Sequence, residues 1–189
     1  MKQLLFLCAL LFALPAPADA PLPGASLYHL TGRWTDQDGR EISLASLRGQ
    51  PVVLAMAYTR CKEMCPMIVE TMRRIEHDWY QRPDAPPVQF AFFSFDWTRD
   101  APAHLKAYAA QHELDLQHWS LYQGKEGAVR ELAAALGIGF LREDSGDFSH
   151  GYALSLLDGD GALAFQQTGF QPDTGEMIGK IAALTSKRN

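Results

Sequence analysis

Val52-Val-Leu-Ala-Met-Ala-Tyr58-Thr-Arg-Cys61-Lys-Glu-Met-Cys65-Pro66 is the stretch from which the rest of the chain can be read. Val52 to Tyr58 is continuously apolar, and the turn residues Leu47-Arg-Gly-Gln-Pro51 precede it. A short apolar run entered from a turn predicts a strand buried on both faces. Pro66 then marks a helix start, since proline lacks only an N–H that the first helical turn leaves unpaired anyway. Ile68, Met72 and Ile75 recur at i, i+4 and i+7, which gives that helix one inward face. Gln81 to Pro87 breaks it, and Val88 to Phe95 is a second buried strand. Strand, helix and strand within about forty residues predict a βαβ unit with parallel strands and a right-handed crossover.

The pattern extends both ways. Upstream, Tyr28 to Leu44 reads as an N-terminal hairpin around Asp38-Gly39. Downstream, Asp100 is placed to cap a helix from Pro102 to about His112. Ser120 to Gln123 is a short strand, and Glu126 to Leu136 is a helix closed by Gly137. Arg142 to Ser149 reads as a loop. Tyr152 to Leu157 and Ala162 to Gln167 pair around Asp158-Gly-Asp-Gly161, and Glu176 to Leu184 is a terminal helix. The Asp158 tetrad is a turn and not a calcium loop, because Gly169 stands where the twelfth-position glutamate belongs. Strands and helices alternating in this way predict an α/β layered domain.

At 189 residues, with 47% hydrophobic and 21% charged residues, the chain suits one soluble domain with a real core. A net charge of −5 and dispersed basic residues argue against a nucleic-acid partner. The first residues read as a secretion signal: Lys2, the apolar run Leu4 to Leu14, then Pro15-Ala-Pro-Ala-Asp-Ala20. Cleavage is expected after Ala18, or after Ala20. That leaves residues 19–27 as a flexible lead-in and 28–189 as the domain. A run of about 11 apolar residues falls short of the roughly 20 that span a bilayer. The expected location is therefore the periplasm, with an uncleaved anchor on the outer face of the inner membrane as the alternative.

Export leaves two of the three cysteines, since Cys8 departs with the signal. Cys61 and Cys65 close a loop too short for a useful structural staple. At a helix N-terminus beyond the carboxyl end of a strand, their thiolates are favoured by unpaired N–H groups and the helix dipole. Such a pair can close reversibly into a disulfide or hold a soft ion, copper(I) or zinc. Closed structural zinc wants four protein ligands, and no second cysteine pair exists. Two sulfurs and one imidazole would suit copper. Of the six histidines, His29, His77, His104, His112 and His118 read as surface or hydrogen-bonded residues, His104 and His112 on a helix away from the site. His150 precedes the strand Tyr152 to Leu157, which in a thioredoxin-type sheet lies beside the strand leading to the cysteines. On the residues alone it is one candidate, favoured by position. Met67 is read as packing and Met64 as exposed loop, ahead of thioether donation to copper.

Several segments together resemble the Sco/SenC family. They are Tyr58-Thr-Arg-Cys61, Cys65-Pro66, Ser94-Phe-Asp-Trp-Thr-Arg-Asp-Ala-Pro102, Val129-Arg-Glu-Leu132, Phe148-Ser-His150 and Leu154-Ser-Leu-Leu-Asp158. The resemblance runs from about Leu44 to Leu184. It implies a thioredoxin-like fold with a central mixed sheet flanked by helices, and a copper metallochaperone of cytochrome c oxidase assembly. Copper would be held by Cys61, Cys65 and His150, and the client would be a copper-accepting protein such as an oxidase copper subunit. Lys62 replaces the family's usual proline and Met64 a small or acidic residue. Ser149 and Gly151 flank the histidine where Asp and Ser are common. Asp96 is expected either near the thiols or fixing a turn.

Two other chemistries use the same pair. In a thiol–disulfide reductase, Cys61 attacks a client disulfide and Cys65 resolves it, with a reductant as partner. In a peroxide-reducing or redox-sensing protein, Cys61 passes through a sulfenic acid.

Overall fold

A computed structural model gives the fold over residues 21–61, 65–169 and 171–186. The expected signal segment with both of its cleavage points, the first residues of the lead-in, Lys62 and Met64 lie outside the described residues. In chain order the hairpin β1 (Arg33–Asp36) and β2 (Glu41–Ser43) comes first, followed by β3 (Val52–Ala57), α1 (Cys65–Tyr80) and β4 (Gln89–Ser94). Next are α2 (Pro102–Gln111), β5 (Trp119–Gly124) and α3 (Glu126–Ala135). The last part holds β6 (Phe140–Arg142), β7 (Phe148–His150), β8 (Ala153–Leu157), β9 (Leu163–Thr168) and α4 (Thr174–Ser186).

The apolar run of β3 is explained by its place in the middle of a seven-stranded sheet of order β2-β1-β5-β4-β3-β8-β9, where all six of its side chains are buried. It pairs parallel with β4, from Val52 opposite Gln89 to Ala57 opposite Ser94, as the βαβ reading requires. On its other side β8 runs antiparallel, Val52 opposite Leu157 and Ala55 opposite Leu154. The start of β8 therefore lies beside the end of β3, where the cysteine segment begins. On α1 the buried face is Ile68, Met72, Ile75 and Trp79, with Val69 beside it. Met177 and Ile181 of α4 are buried next to this helix. Among the described residues no helix is long and apolar enough to cross a membrane.

Three expectations need correction. First, the lead-in is docked at its end. Ser26 and Leu27 are buried, the Ser26 hydroxyl donating to the Asp160 carbonyl at 2.5 Å and the Leu27 N–H to the Gly161 carbonyl at 2.9 Å. Gly161 is required there, because its φ is +82° and a Cβ would sit 2.6 Å from the Tyr28 ring. Second, residues 142–149 are no simple loop. β6 and β7 form a separate hairpin, Phe140 opposite His150 and Arg142 opposite Phe148, closed by a turn in which Gly146 takes φ +83°. Third, Asp100 does not cap α2. The helix starts after Ala101 without a side-chain cap, and Asp100 turns inward to the end of β3.

Candidate metal centre

β3 delivers the chain to Tyr58, and Cys61 follows in a turn whose N–H donates to the Tyr58 carbonyl at 3.3 Å. Cys65 is the first residue of α1, which puts it at the helix N-terminus. Cys61, itself half-buried, lines a cleft of about 1110 Å³ together with Pro66 of α1, His150 of β7 and the end of α2. The structure thus brings Cys61 and His150 to one cavity, and Cys65 opens the helix one residue before Pro66, which lines it.

The His150 ring stands at 4.8 Å from the Phe95 ring and 6.2 Å from Tyr58. Its Nδ1 lies 3.0 Å from the Gly151 carbonyl. A carbonyl can only accept, so Nδ1 carries the proton and Nε2 keeps a lone pair. Burial holds the imidazole below its ordinary pKa, against the upward pull of that backbone hydrogen bond. The ring is therefore neutral at neutral pH, which is the form that binds metal. The backbone of Gly151 here does the orienting work that an acidic neighbour commonly does.

Tyr58 is a member of the site that sequence reasoning passed over as a family mark. Its ring meets the Phe148 ring at 5.4 Å and the His150 ring at 6.2 Å, and its hydroxyl lies in electrostatic reach of the Phe148 backbone and the Cys61 side chain. Burial is the largest cause that pushes this phenol up to about 12, and the Cys61 contact adds to it. The phenol therefore stays protonated beside Cys61, and its ring contacts with Phe148 and His150 tie the end of β3 to the hairpin that carries His150.

The segment Asp96 to Asp100 holds the two halves of the site in place. Buried Asp100 accepts from the Thr59 N–H at 2.9 Å, the Thr59 hydroxyl at 2.5 Å and the Ser94 hydroxyl at 2.5 Å, which pins the turn before Cys61. Buried Asp96 accepts from the Thr98 hydroxyl and from the Arg99 N–H and guanidinium, which makes it turn-fixing. Arg99 also donates to the Gly146 carbonyl and lies 3.8 Å from Asp147, both in the β6–β7 turn. A single motif therefore anchors the cysteine turn at one end and the histidine hairpin at the other.

Two side chains are not where the sequence put them. His112, expected away from the site, lines the cleft at the end of α2, its ring tilted against that of Tyr108 at 4.2 Å and 40°. Burial lowers its pKa, helped by the charge of Arg73 and opposed by Glu70. Met67, expected to pack, is 48% exposed, because its position on α1 points away from the Ile68–Met72–Ile75 face. His29, His77, His104 and His118 do not line this cleft.

Comparison with known proteins fits this architecture. The "SCO1 protein homolog" of Bacillus subtilis is 24% identical over 139 residues, which is 72% of this chain and 71% of that protein. A SCO1/SenC family lipoprotein from Bacillus anthracis superposes with a TM-score of 0.75 at 23% identity, covering 81% of this chain and 92% of that one. Copper-bound ScoI of Arabidopsis thaliana superposes with a TM-score of 0.72 at 14% identity, covering 82% and 96%. The fold is the thioredoxin-like fold of these structures, a central mixed sheet flanked by helices. The SCO1/SenC family model matches residues 27–186, and the chain belongs to that family.

Proposed function

We propose that this protein is an exported copper metallochaperone that holds its ion through Cys61, Cys65 and His150 and passes it by ligand exchange to a copper-accepting protein, such as a copper subunit of a respiratory oxidase. Copper is the cofactor, as in the copper-bound Arabidopsis relative. The observation that carries the site is the shared cleft: Cys61 and a neutral His150 with its Nε2 lone pair line it, and Cys65 opens α1 one residue before Pro66, which also lines it. Two thiolates and one imidazole form a soft, three-donor set, and the open cleft leaves an acceptor's ligands room to enter. The lipoprotein nature of the Bacillus anthracis relative supports a place outside the cytoplasm, free or held at the membrane surface.

The test is anaerobic copper(I) titration of the reduced protein against a chromophoric chelator. Cys61→Ser, Cys65→Ser and His150→Ala are each expected to weaken binding about tenfold or more. Undiminished affinity in all three would remove the assignment. Thiol–disulfide exchange is the second reading, favoured by the half-exposed Cys61 lining the cleft, with the protonated Tyr58 beside it. Rapid disulfide transfer to a client peptide, with no copper bound, would make that reading the correct one.

A further inference from the structure

At the opposite end of α1 from the cysteines, Glu76 meets Asp115 and His118 of the turn that leads into β5. His118 Nδ1 lies 3.2 Å from Glu76 Oε1 and 3.6 Å from Asp115 Oδ2, and one donor atom from each residue falls within 4.8 Å of the others. Ligands of a tetrahedral ion bound at about 2.0–2.1 Å stand about 3.3 Å apart, so these separations are close to those of a metal-binding set. Asp115 Oδ1 accepts from the Gln117 N–H at 2.9 Å, which fixes the carboxylate with its other oxygen, Oδ2, facing His118.

The donors are also held from behind. The other Glu76 oxygen accepts from Trp119 Nε1 at 2.6 Å, and Trp119 is fully buried. The His118 ring is stacked on Tyr80 at 4.0 Å and 15°, and the Tyr80 hydroxyl is fixed by the Val88 N–H and carbonyl, each at 3.1 Å. Ligands oriented by partners of this kind are what tuned metal sites use. Exposure rises across the set, from 15% for the Glu76 side chain to 31% for His118 and 52% for Asp115, so an ion has a way in and a face left for water. A recess of about 440 Å³ adjoins it. Arg73 lines that recess too, but its charge is engaged by Glu70 at 3.2 Å and Glu113 at 3.6 Å.

We infer that Glu76, Asp115 and His118 form a second metal site, free of sulfur, for a zinc-type divalent ion. One imidazole and two carboxylates suit divalent first-row ions, and a set dominated by hard oxygens is poor for copper(I), which prefers sulfur. Eleven residues along the helix place Glu76 about 16 Å from Cys65, so this site is separate from the copper reading and stands without it.

The experiment uses the full chain carrying Cys8→Ser, Cys61→Ser, Cys65→Ser and His150→Ala, titrated with zinc against a chromophoric chelator. One equivalent of zinc is expected, with cobalt(II) giving a spectrum free of sulfur charge-transfer bands. On that background His118→Ala and Asp115→Asn are each expected to weaken binding about tenfold or more. Asp115→Asn keeps side-chain shape at a half-exposed position, so its fold is retained and is checked by circular dichroism. Absence of zinc binding in the background protein overturns the inference, as does binding that either variant leaves unchanged.

Discussion

The hydroxyl of Tyr58 faces the Cys61 side chain, and its removal separates the chemistry of the thiol from the shape of the cleft. Tyr58→Phe keeps the ring contacts with Phe148 at 5.4 Å and with His150 at 6.2 Å. It deletes a hydroxyl able to donate to a Cys61 thiolate, so the nucleophilic form of the sulfur loses that stabilisation. A hydrogen bond of this kind is worth about 1 kcal/mol, or a factor of about five. Alkylation of Cys61 at neutral pH, read in a Cys65→Ser background, is therefore expected to slow about fivefold. An unchanged rate would mean that Tyr58 only packs. At this scale the sequence was partly legible. Cys61 announced itself through spacing and export, whereas His112 carried no local sign of its place. Only the packing of α2 beside the cysteine segment brings it to the cleft, and helical periodicity says nothing about which end of a helix meets another element.

The β6–β7 hairpin depends on Arg99 as much as on its own three pairs of residues. Asp96 is fully buried, and the Arg99 guanidinium is its charge partner while also donating to the Gly146 carbonyl. Arg99→Ala leaves a buried carboxylate uncompensated and releases the hairpin turn. Fully buried pairs cost about 3–5 kcal/mol to break, and with Arg99 24% exposed the expected loss is about 2–3 kcal/mol in urea unfolding. Amide exchange at Phe148 to Gly151 should rise while that of α1 holds. Arg99→Lys is not expected to rescue, because one ammonium lacks the fork that reaches both a carboxylate and a carbonyl. Exchange unchanged in Arg99→Ala would show that the strand pairing alone holds His150. The hairpin itself was hidden in the sequence by its polarity. Leu141 is 68% exposed, and the five residues from Glu143 to Asp147 are turn formers, so the two buried-side aromatics, Phe140 and Phe148, stand too far apart in sequence to write an alternating strand pattern. Gly146 within that run was the available turn signal.

For the whole molecule, the alternation of apolar runs was enough to place β3 at the centre, because a strand covered on both faces has no polar side to show. What alternation does not encode is how the site answers to pH, and this follows from two burials. His112 and His150 are both lowered from 6.5, in each case first by desolvation. In the unfolded chain both take up protons near pH 6.5, and in the folded chain only below it. Within that window the unfolded state binds more protons, so folding stability rises with pH. The full contribution is present above 6.5 and is lost as pH falls through the window beneath it. Urea midpoints of the metal-free protein are therefore expected to drop between about pH 7.5 and pH 5.5. The double variant His112→Gln, His150→Gln should have a shallower profile. At the proposed site copper would sharpen the contrast, since it would bind the folded state through the neutral His150 imidazole. The copper-loaded protein should be more stable at the upper end and lose more over the same interval. A double variant as steep as the parent would place the titrating groups elsewhere in the chain.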